Sequence, residues 1–325
     1  MTLILTHTQI SDLLDRAEVY RAVENAFAGL ALGEYCNPAP RALPLPDHGA
    51  ALPMMAGGAG VTSVKLLSDL PGNRDRSLPT QRSTIMVTSG VTGECLALLD
   101  GRAITAMRTA AASAVATAHL APTSSSVLGL VGAGSLAIEH AQAIAAVRGI
   151  TEIVVWSRSA ATAEKFAKAT ENLHTAVIFA ASPRDVFDHA DIVCTLTPSR
   201  DPVAFGEWFR AGQHINAVGA PPRPDHREID GDGMRRARVI VDSLPTVMAK
   251  SGAVLLALEE GLITEADIGT ELGHVVAGTA VGRRSDAEVT LFESVGLGLQ
   301  DLVTARLVVD RAYERGIGTT VHFAS

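Results

Sequence analysis

Aromatic residues and cysteines are scarce in this 325-residue chain. Phe, Trp and Tyr together make up 4% of it, and its three cysteines are Cys36, Cys95 and Cys194. With so few aromatic side chains, the core must be built mainly from Ala, Val, Leu and Ile. The wide separation of the cysteines fits neither a metal-ligand spacing nor a disulfide framework. We therefore predict no metal site and a reducing compartment.

The sequence also lacks long apolar runs and an excess of positive charge. No run approaches the ~18 apolar residues of a membrane span, and the N-terminal stretch has neither the basic region nor the apolar segment of a secretion signal. The net charge of −8 argues against a nucleic-acid partner, because phosphate binding needs a basic surface. We expect a cytoplasmic protein with no membrane partner, and a hydrophobic content of 47% provides ample core material.

The most specific pattern lies at residues 127–137. An apolar run typical of a buried strand ends in Gly132-x-Gly134-x-x-Ala137, and a helical pattern follows at once. The first glycine allows a tight turn, the second lets the backbone approach a pyrophosphate, and the alanine permits close packing of helix on strand. We predict a dinucleotide site, although a glycine-rich turn without a ligand would also fit. The predicted contacts in the turn are Gly132, Ala133, Gly134, Ser135, Leu136 and Ala137.

From residue 126 onward, short apolar strands alternate with helical segments, which is typical of βαβ units around a parallel sheet. Such sheets bind ligands at the carboxyl ends of their strands. Thr195, Thr197 and Val218 belong to such ends and are further predicted cofactor contacts. The predicted strands are 127–131, 152–156, 176–179, 192–196, 214–218 and 239–241.

The first third of the chain has a mixed pattern. Helical spacing predicts helices over 15–32 and 104–120, and strands are predicted at 61–67 and 83–88, the latter paired with 95–99 in a hairpin. A last helix is predicted over about 295–315, returning to this first domain. The fold class is therefore α/β, with a Rossmann-type parallel-sheet domain and a second, α+β domain.

Arg158 bears on which dinucleotide is bound. In such units an acidic residue after the second strand favours NAD, whereas an arginine accommodates a 2′-phosphate. Here the strand ends in Ser157-Arg158-Ser159, with no acidic residue beside it. We predict a preference for NADP(H), with NAD(H) as the alternative cofactor. A solvated arginine at a helix start is the other interpretation.

Several segments together resemble the ornithine cyclodeaminase/mu-crystallin family. The similarity extends over nearly the whole chain, and its most specific parts are Arg108-Thr109-Ala110-Ala111 and Asn216-Ala217-Val218-Gly219. The other matching segments are 65–67, 71–73, 92–93, 99–101, 104–107, 132–134, 205–208, 214–215 and 241–243.

The resemblance implies a domain plan and a class of ligand. A substrate-binding and dimerisation domain would cover residues 1–120, completed by 296–325, and the NAD(P)-binding domain would cover 121–295. Members of the family act on small amino or imino acids with a nicotinamide cofactor, so we expect such a substrate and a homodimer.

The resemblance also implies a carboxylate-binding cluster of Arg41, Lys65 and Arg108. From the residues alone each is ambiguous, because long cationic side chains readily stay solvated. However, Lys65 interrupts an apolar strand and Arg108 lies in an alanine-rich helix, where a buried cation needs an anionic partner. We predict catalytic roles for Lys65 and Arg108, with Lys65 supplying or relaying a proton.

Three further residues are predicted to border the ligands. Ser294 and Gly296 precede the last helix, where their N–H groups could meet a substrate carboxylate, and a plain helix cap would explain the serine equally well. Thr80 is predicted to lie beside the nicotinamide.

One departure from the family pattern affects the predicted reaction. Where the cyclodeaminases and related alanine dehydrogenases of the family have an aspartate after the Val-Gly strand end, this chain has Pro221, which cannot act as an acid or a base. The following Arg223-Pro224-Asp225-x-Arg227-Glu228 segment resembles the ketimine reductase and Δ1-pyrroline-2-carboxylate reductase branch. We therefore expect NAD(P)H-dependent reduction of a cyclic ketimine carboxylate to L-proline or L-pipecolate. An ornithine or lysine cyclodeaminase with recycled NAD and a non-catalytic NADP-dependent binding protein are the alternatives.

Overall fold

The computed structural model describes residues 1–322, so the last three residues of the predicted range 296–325 lie outside it. The chain divides into two compact units. Unit 1 comprises residues 1–108 and 297 onward, and unit 2 comprises residues 109–296. The first division falls at Arg108, inside a helix, whereas the sequence places the domain boundary after residue 120.

The elements of the first third are mostly strands. They are β1 (Thr2–Leu5), α1 (His7–Leu13), α2 (Arg16–Ala31), β2 (Tyr35–Cys36), β3 (Leu43–Leu45), β4 (Gly49–Gly58), β5 (Val61–Asp69), β6 (Gln81–Ser89), β7 (Cys95–Asp100) and α3 (Arg102–Leu120).

Strands and helices alternate in the rest of the chain. The order is β8 (Val127–Val131), α4 (Ser135–Val147), β9 (Glu152–Trp156), α5 (Ala160–Ala169), β10 (Ala176–Phe179), α6 (Pro183–His189), β11 (Ile192–Thr195), β12 (His214–Ala217), α7 (Gly231–Arg236), β13 (Arg238–Val241), α8 (Leu244–Lys250), α9 (Gly252–Glu259), β14 (Thr270–Glu271), α10 (Leu272–Val276), β15 (Thr290–Glu293), α11 (Gly298–Arg315) and β16 (Thr319–Val321).

Unit 1 is a sheet with helices packed on one face. Its strand order is β16-β1-β7-β6-β5-β4-β2, with β3 paired to β4. Helix α11 packs on β4, β5 and β6 and also contacts α2. Strand β5 alternates, so that Ser63, Lys65, Leu67 and Asp69 are buried while the residues between them are more exposed. This alternation places Lys65 on a buried face of the sheet.

Unit 2 is built around an eight-stranded, fully parallel sheet of order β10-β9-β8-β11-β12-β15-β13-β14. Its core is aliphatic, as the composition predicts; Val131, Val154, Val193, Ile215 and Leu291 are all buried in it. From β8 the chain continues through β9 to β10 on one side of the sheet, and then crosses to β11 on the other side of β8. The carboxyl end of β8 is therefore the point at which such sheets bind ligands.

The strands 127–131, 152–156 and 176–179 are confirmed residue for residue. The sequence did not predict β15, which lies between β12 and β13 in the sheet. The predicted start of the last helix at 295 is wrong, because Gly296 has a φ of +78° that no α-helix accommodates. The helix begins at Gly298.

Candidate functional site

The turn between β8 and α4 in unit 2 has the geometry of a phosphate-binding loop. Gly132 has a φ of +116°, and a Cβ there would lie 2.9 Å from the carbonyl oxygen of Leu196, so only glycine fits. Gly134 is the N-cap of α4, which has no side-chain cap. A Cβ on Gly134 would meet no atom within 4 Å. The space beside the start of α4 is therefore open, and an unblocked helix N-terminus suits an anionic pyrophosphate.

The other residues of this turn differ in exposure. Ala133 and Ala137 are buried, Leu136 is half-buried and Ser135 is exposed. A larger side chain than Ala137 would push α4 away from the sheet, because this alanine is fully buried. The residues of the predicted turn therefore fit a dinucleotide.

The turn after β9 presents Arg158 to solvent. Its two serine neighbours are used locally: Ser157 Oγ accepts a hydrogen bond from the Ser159 amide, and Ser159 Oγ caps α5 by accepting from the Thr162 amide. These bonds fix the backbone on both sides of Arg158. Within residues 1–322 the guanidinium has no ion-pair partner, and it therefore remains a candidate for binding a phosphate.

Thr195 and Thr197 both hydrogen-bond Glu228, for which we predicted no role from the sequence. The hydroxyls of both threonines donate to the Glu228 carboxylate, at 2.9 and 2.7 Å, and the Gly219 amide donates to it at 2.7 Å. Burial raises the pKa of Glu228 although these hydrogen bonds favour its charged form. The two hydroxyls are engaged within the protein rather than presented to a ligand. Val218, half-buried beside them, remains a predicted cofactor contact.

The predicted role of Ser294 and Gly296 needs correction. The Ser294 hydroxyl and the amides of Val295 and Gly296 all donate to Asp242 Oδ2, at 2.8–3.0 Å. The Asp242 carboxylate therefore occupies the donors that were predicted to bind a substrate carboxylate.

Lys65 and Arg108 come together in unit 1. Lys65 Nζ lies 2.7 Å from Asp301 Oδ2, and Arg108 Nε donates to Asp301 Oδ1 at 3.0 Å. Arg108 Nη1 also donates to Gln300 Oε1 at 2.6 Å. Lys65 and Asp301 are 0% exposed and Arg108 is 4% exposed. The anionic partner that the sequence argument required for these buried cations is Asp301.

The remaining predicted residues of unit 1 lie apart from this cluster. Arg41 is exposed just before β3, and among the described residues its side chain forms no hydrogen bond or ion pair. Thr80 precedes β6, and its carbonyl oxygen accepts from the Leu70 amide. Asp301 and Gln300 were missed by the sequence argument, because a polar residue in the first turn of an amphipathic helix has an ordinary explanation in the helix dipole.

The segment after β12 differs from that of a cyclodeaminase. Pro221 lines a small cavity of unit 2 together with Glu228 and Glu293. Asp225, the nearest aspartate in sequence, is exposed, forms an ion pair with Arg200 and hydrogen-bonds His226, which lowers its pKa. Neither residue takes the place of the aspartate that the resemblance implies for the cyclodeaminases.

Comparison with known proteins decides the family. The sequence profile described as "Ornithine cyclodeaminase/mu-crystallin family" matches residues 1–316. The chain belongs to this family. The mouse protein named ketimine reductase mu-crystallin is 35% identical over 281 residues, which cover 86% of each chain.

Two solved structures are similar over almost their full length. The Thermococcus litoralis Δ1-pyrroline-2-carboxylate reductase, in complex with NADH and L-proline, has a TM-score of 0.94 at 36% identity, covering 98% of this chain and 100% of that one. An archaeal alanine dehydrogenase dimer with bound NAD has a TM-score of 0.94 at 33% identity, covering 99% of both chains.

These comparisons confirm the predicted family and the α/β fold class with its Rossmann-type domain. They also confirm the prediction of an NAD(P)H-dependent oxidoreductase acting on imines, at the level of the enzyme class. In the part of the chain that the structure describes, no helix is long and apolar enough to cross a bilayer.

Proposed function

We propose that the protein reduces a cyclic imine carboxylate, Δ1-pyrroline-2-carboxylate or Δ1-piperideine-2-carboxylate, to L-proline or L-pipecolate. The observation that carries this proposal is the pairing of Lys65 and Arg108, two buried cations held side by side on Asp301. Cations of this kind suit a small carboxylate. The similar reductase with bound L-proline and the mouse ketimine reductase support this substrate class.

In the proposed reaction the residues of unit 1 bind and orient the substrate. Arg108 and Lys65 hold the carboxylate, and Arg41 can close on it as a second clamp. Asp301 keeps the Lys65 ammonium charged, so that Nζ can donate a hydrogen bond and the proton for the imine nitrogen. When bound, NAD(P)H supplies the hydride to the imine carbon. The C=N bond becomes a C–N bond, with hydride on carbon and a proton on nitrogen.

We further propose that unit 2 binds NADP(H) in preference to NAD(H), while accepting both. The exposed Arg158 and the absence of an acidic neighbour in the turn 157–159 support the 2′-phosphate. The two similar structures, which contain NADH and NAD, support use of the unphosphorylated cofactor.

The proposal includes a homodimer acting in the cytoplasm, in proline metabolism. One face of the unit 1 sheet exposes apolar side chains: Met55 and Met86 flank Val64 in one row across β4, β5 and β6, and Leu66 lies beside them. Such a patch on an oligomer is buried against a second copy. The dimer described for the similar alanine dehydrogenase supports this arrangement.

An open-chain imine is the second candidate substrate. The 33% identity to an alanine dehydrogenase favours it, since the imine formed from a keto acid and ammonia carries the same carboxylate beside the same C=N bond. The cation pair of Lys65 and Arg108 would bind either.

Substitution of the two cations tests the proposal. Lys65→Met and Arg108→Met remove the charge but keep most of the side-chain volume. Each is expected to lower kcat/KM for imine reduction by about 10- to 100-fold or more, because a charged hydrogen bond contributes about 1.5–3 kcal/mol and each variant loses at least one to the substrate. Cofactor affinity, measured by nucleotide fluorescence, is expected to stay unchanged. Arg102→Ala, at an exposed position of the same helix as Arg108, is the control. Full activity in both Met variants would rule out the proposed site.

A further inference from the structure

Two buried cations of unit 1 share one carboxylate. Lys65 reaches one oxygen of Asp301 and Arg108 reaches the other, at 2.7 and 3.0 Å. A carboxylate whose two oxygens each bind a different cation fixes the spacing between the cations as well as their charge. Gln300, the preceding residue, accepts from Nη1 of the same guanidinium.

Burial makes this arrangement necessary. Lys65 and Asp301 are 0% exposed and Arg108 is 4% exposed, and buried charges are unfavourable unless paired and hydrogen-bonded. Without Asp301, the two cations would repel each other in a poorly solvated space. The lysine would then favour its neutral form, and the arginine would turn away.

Three elements hold Asp301 in place. It lies in the first turn of α11, where the N-terminal end of the helix dipole stabilises a negative charge. The helix start is pressed against β4, since a Cβ on Gly298 would come within 2.6 Å of the Met55 carbonyl oxygen. Lys65 lies on β5, which is paired on both sides by β4 and β6. The packing of α11 on the sheet therefore positions the Asp301 carboxylate beside Lys65.

We propose that Asp301 is the positioning residue of the substrate site, holding Lys65 charged and turning Arg108 so that Nη2 meets the substrate carboxylate. Nε and Nη1 of Arg108 are taken by Asp301 and Gln300, and in the described residues Nη2 has no protein partner. Asp301 itself touches neither substrate nor cofactor. The inference rests on the proposed function, because it assumes that an imine carboxylate binds here.

Asp301→Asn tests the positioning role of Asp301, because asparagine keeps the shape of the side chain and removes its charge. The charged groups of this cluster are Lys65 from β5, Arg108 from α3 and Asp301 from α11, with buried Asp69 further along β5. Loss of the carboxylate disfavours the ammonium form of Lys65. The alkaline limb of the kcat/KM profile should therefore move to lower pH, and KM for the imine should rise about tenfold or more. Cofactor affinity should not change.

A second variant isolates the arginine. Gln300→Met removes the acceptor for Nη1, together with a 3.3 Å hydrogen bond that the Leu297 amide donates to the same oxygen, and leaves Asp301 in place. We therefore expect a higher KM with an unmoved pH profile. This variant also decides the inference if Asp301→Asn does not fold. Asp310→Asn, at an exposed position of the same helix paired with Arg306, is the control. Unchanged KM and pH profile in Asp301→Asn, or unchanged KM in Gln300→Met, would overturn the inference.

Ligand-induced thermal stabilisation separates the inference from the proposed function. L-proline and pyruvate are the probes, with the wild-type protein and Asp301→Asn. If the wild type reduces no imine, the proposed function is wrong. Stabilisation of the wild type by either probe, lost in Asp301→Asn, would still support the positioning role. Equal stabilisation of both proteins, or of neither, would contradict it.

Discussion

Unit 2 buries three carboxyl groups near the carboxyl ends of its parallel strands: Glu228, Asp242 and Glu293. Glu228 and Asp242 each accept several hydrogen bonds from hydroxyls and amides. Glu293, the last residue of β15, accepts one from the Ser251 hydroxyl at 2.6 Å. Burial raises the pKa of Glu293 from 4.5 to about 8, so its side chain stays largely protonated at neutral pH.

This raised pKa predicts a pH-dependent stability. Below pH 4.5 the Glu293 carboxyl is protonated in both the folded and the unfolded chain, and its contribution to the free energy of unfolding is fully present. Between pH 4.5 and 8 only the folded chain keeps the proton. The free energy of unfolding therefore falls as pH rises, by at most about 1.4 kcal/mol per pH unit from this group.

Glu293→Gln should remove this part of the pH dependence. We expect its free energy of unfolding, measured by urea titration at several values between pH 5 and 8, to decline less steeply than that of the wild type. Glu259→Gln, at an exposed position of α9, should leave the slope unchanged. A Glu293→Gln protein with the wild-type slope would show that Glu293 is charged in the folded chain.

The sequence predicted the buried cations better than their partner. Lys65 in an apolar strand and Arg108 in an alanine-rich helix break the local pattern, and both are buried. Asp301 breaks no pattern, because an acid in the first turn of a helix is stabilised by the helix dipole alone. Its contact with Arg108, 193 positions away in sequence, follows only from the packing of α11 on the sheet.

At the scale of elements, helices and strands with a clear pattern in their own residues were predicted most accurately. The strands β8, β9 and β10 are short apolar runs flanked by turns and helices, and their bounds could be predicted. Strand β15 has four residues, and its place between β12 and β13 is set by the parallel pairing of the sheet. The start of α11 depends on the backbone of one residue, Gly296, whose φ is +78°. The spacing of apolar residues does not reveal such a conformation.

The turn between β9 and α5 should select the cofactor. Arg158→Ala is expected to lower kcat/KM with NADPH by about 10- to 100-fold, because a charged hydrogen bond to a phosphate contributes about 1.5–3 kcal/mol. Activity with NADH, which has no 2′-phosphate, should change little. Steady-state kinetics with both cofactors measure this ratio.

Arg184→Ala is the matched control, since Arg184 is an exposed arginine of unit 2 on α6. It should affect the two cofactors equally. If Arg158→Ala also leaves the NADPH-to-NADH ratio unchanged, Arg158 is a solvated residue and the preference for NADP(H) has another source or does not exist.

At the scale of the whole molecule, the exposed sheet face of unit 1 predicts a homodimer. Leu66 is 49% exposed in the single chain, and burying it with its apolar neighbours against a second copy would be favourable. Light scattering should give twice the chain mass of 33.9 kDa. Leu66→Lys should shift the protein toward the monomer, because the new charge would be buried without a partner.

Leu32→Lys provides the comparison. Leu32 is 61% exposed just after α2 and does not belong to the apolar row around Val64, so its substitution should leave the mass unchanged. A wild-type protein that runs as a monomer at micromolar concentration would contradict the dimer.

The central claim is that a cyclic imine carboxylate is reduced with consumption of the cofactor. The most direct measurement incubates the wild-type protein with NADPH or NADH and Δ1-pyrroline-2-carboxylate, and in parallel with pyruvate plus ammonium and with L-ornithine. We predict that one cofactor molecule is oxidised for each L-proline formed, with the highest kcat/KM for the cyclic imine. Preferred turnover of pyruvate plus ammonium, or ammonia release from L-ornithine without net cofactor oxidation, would contradict the account.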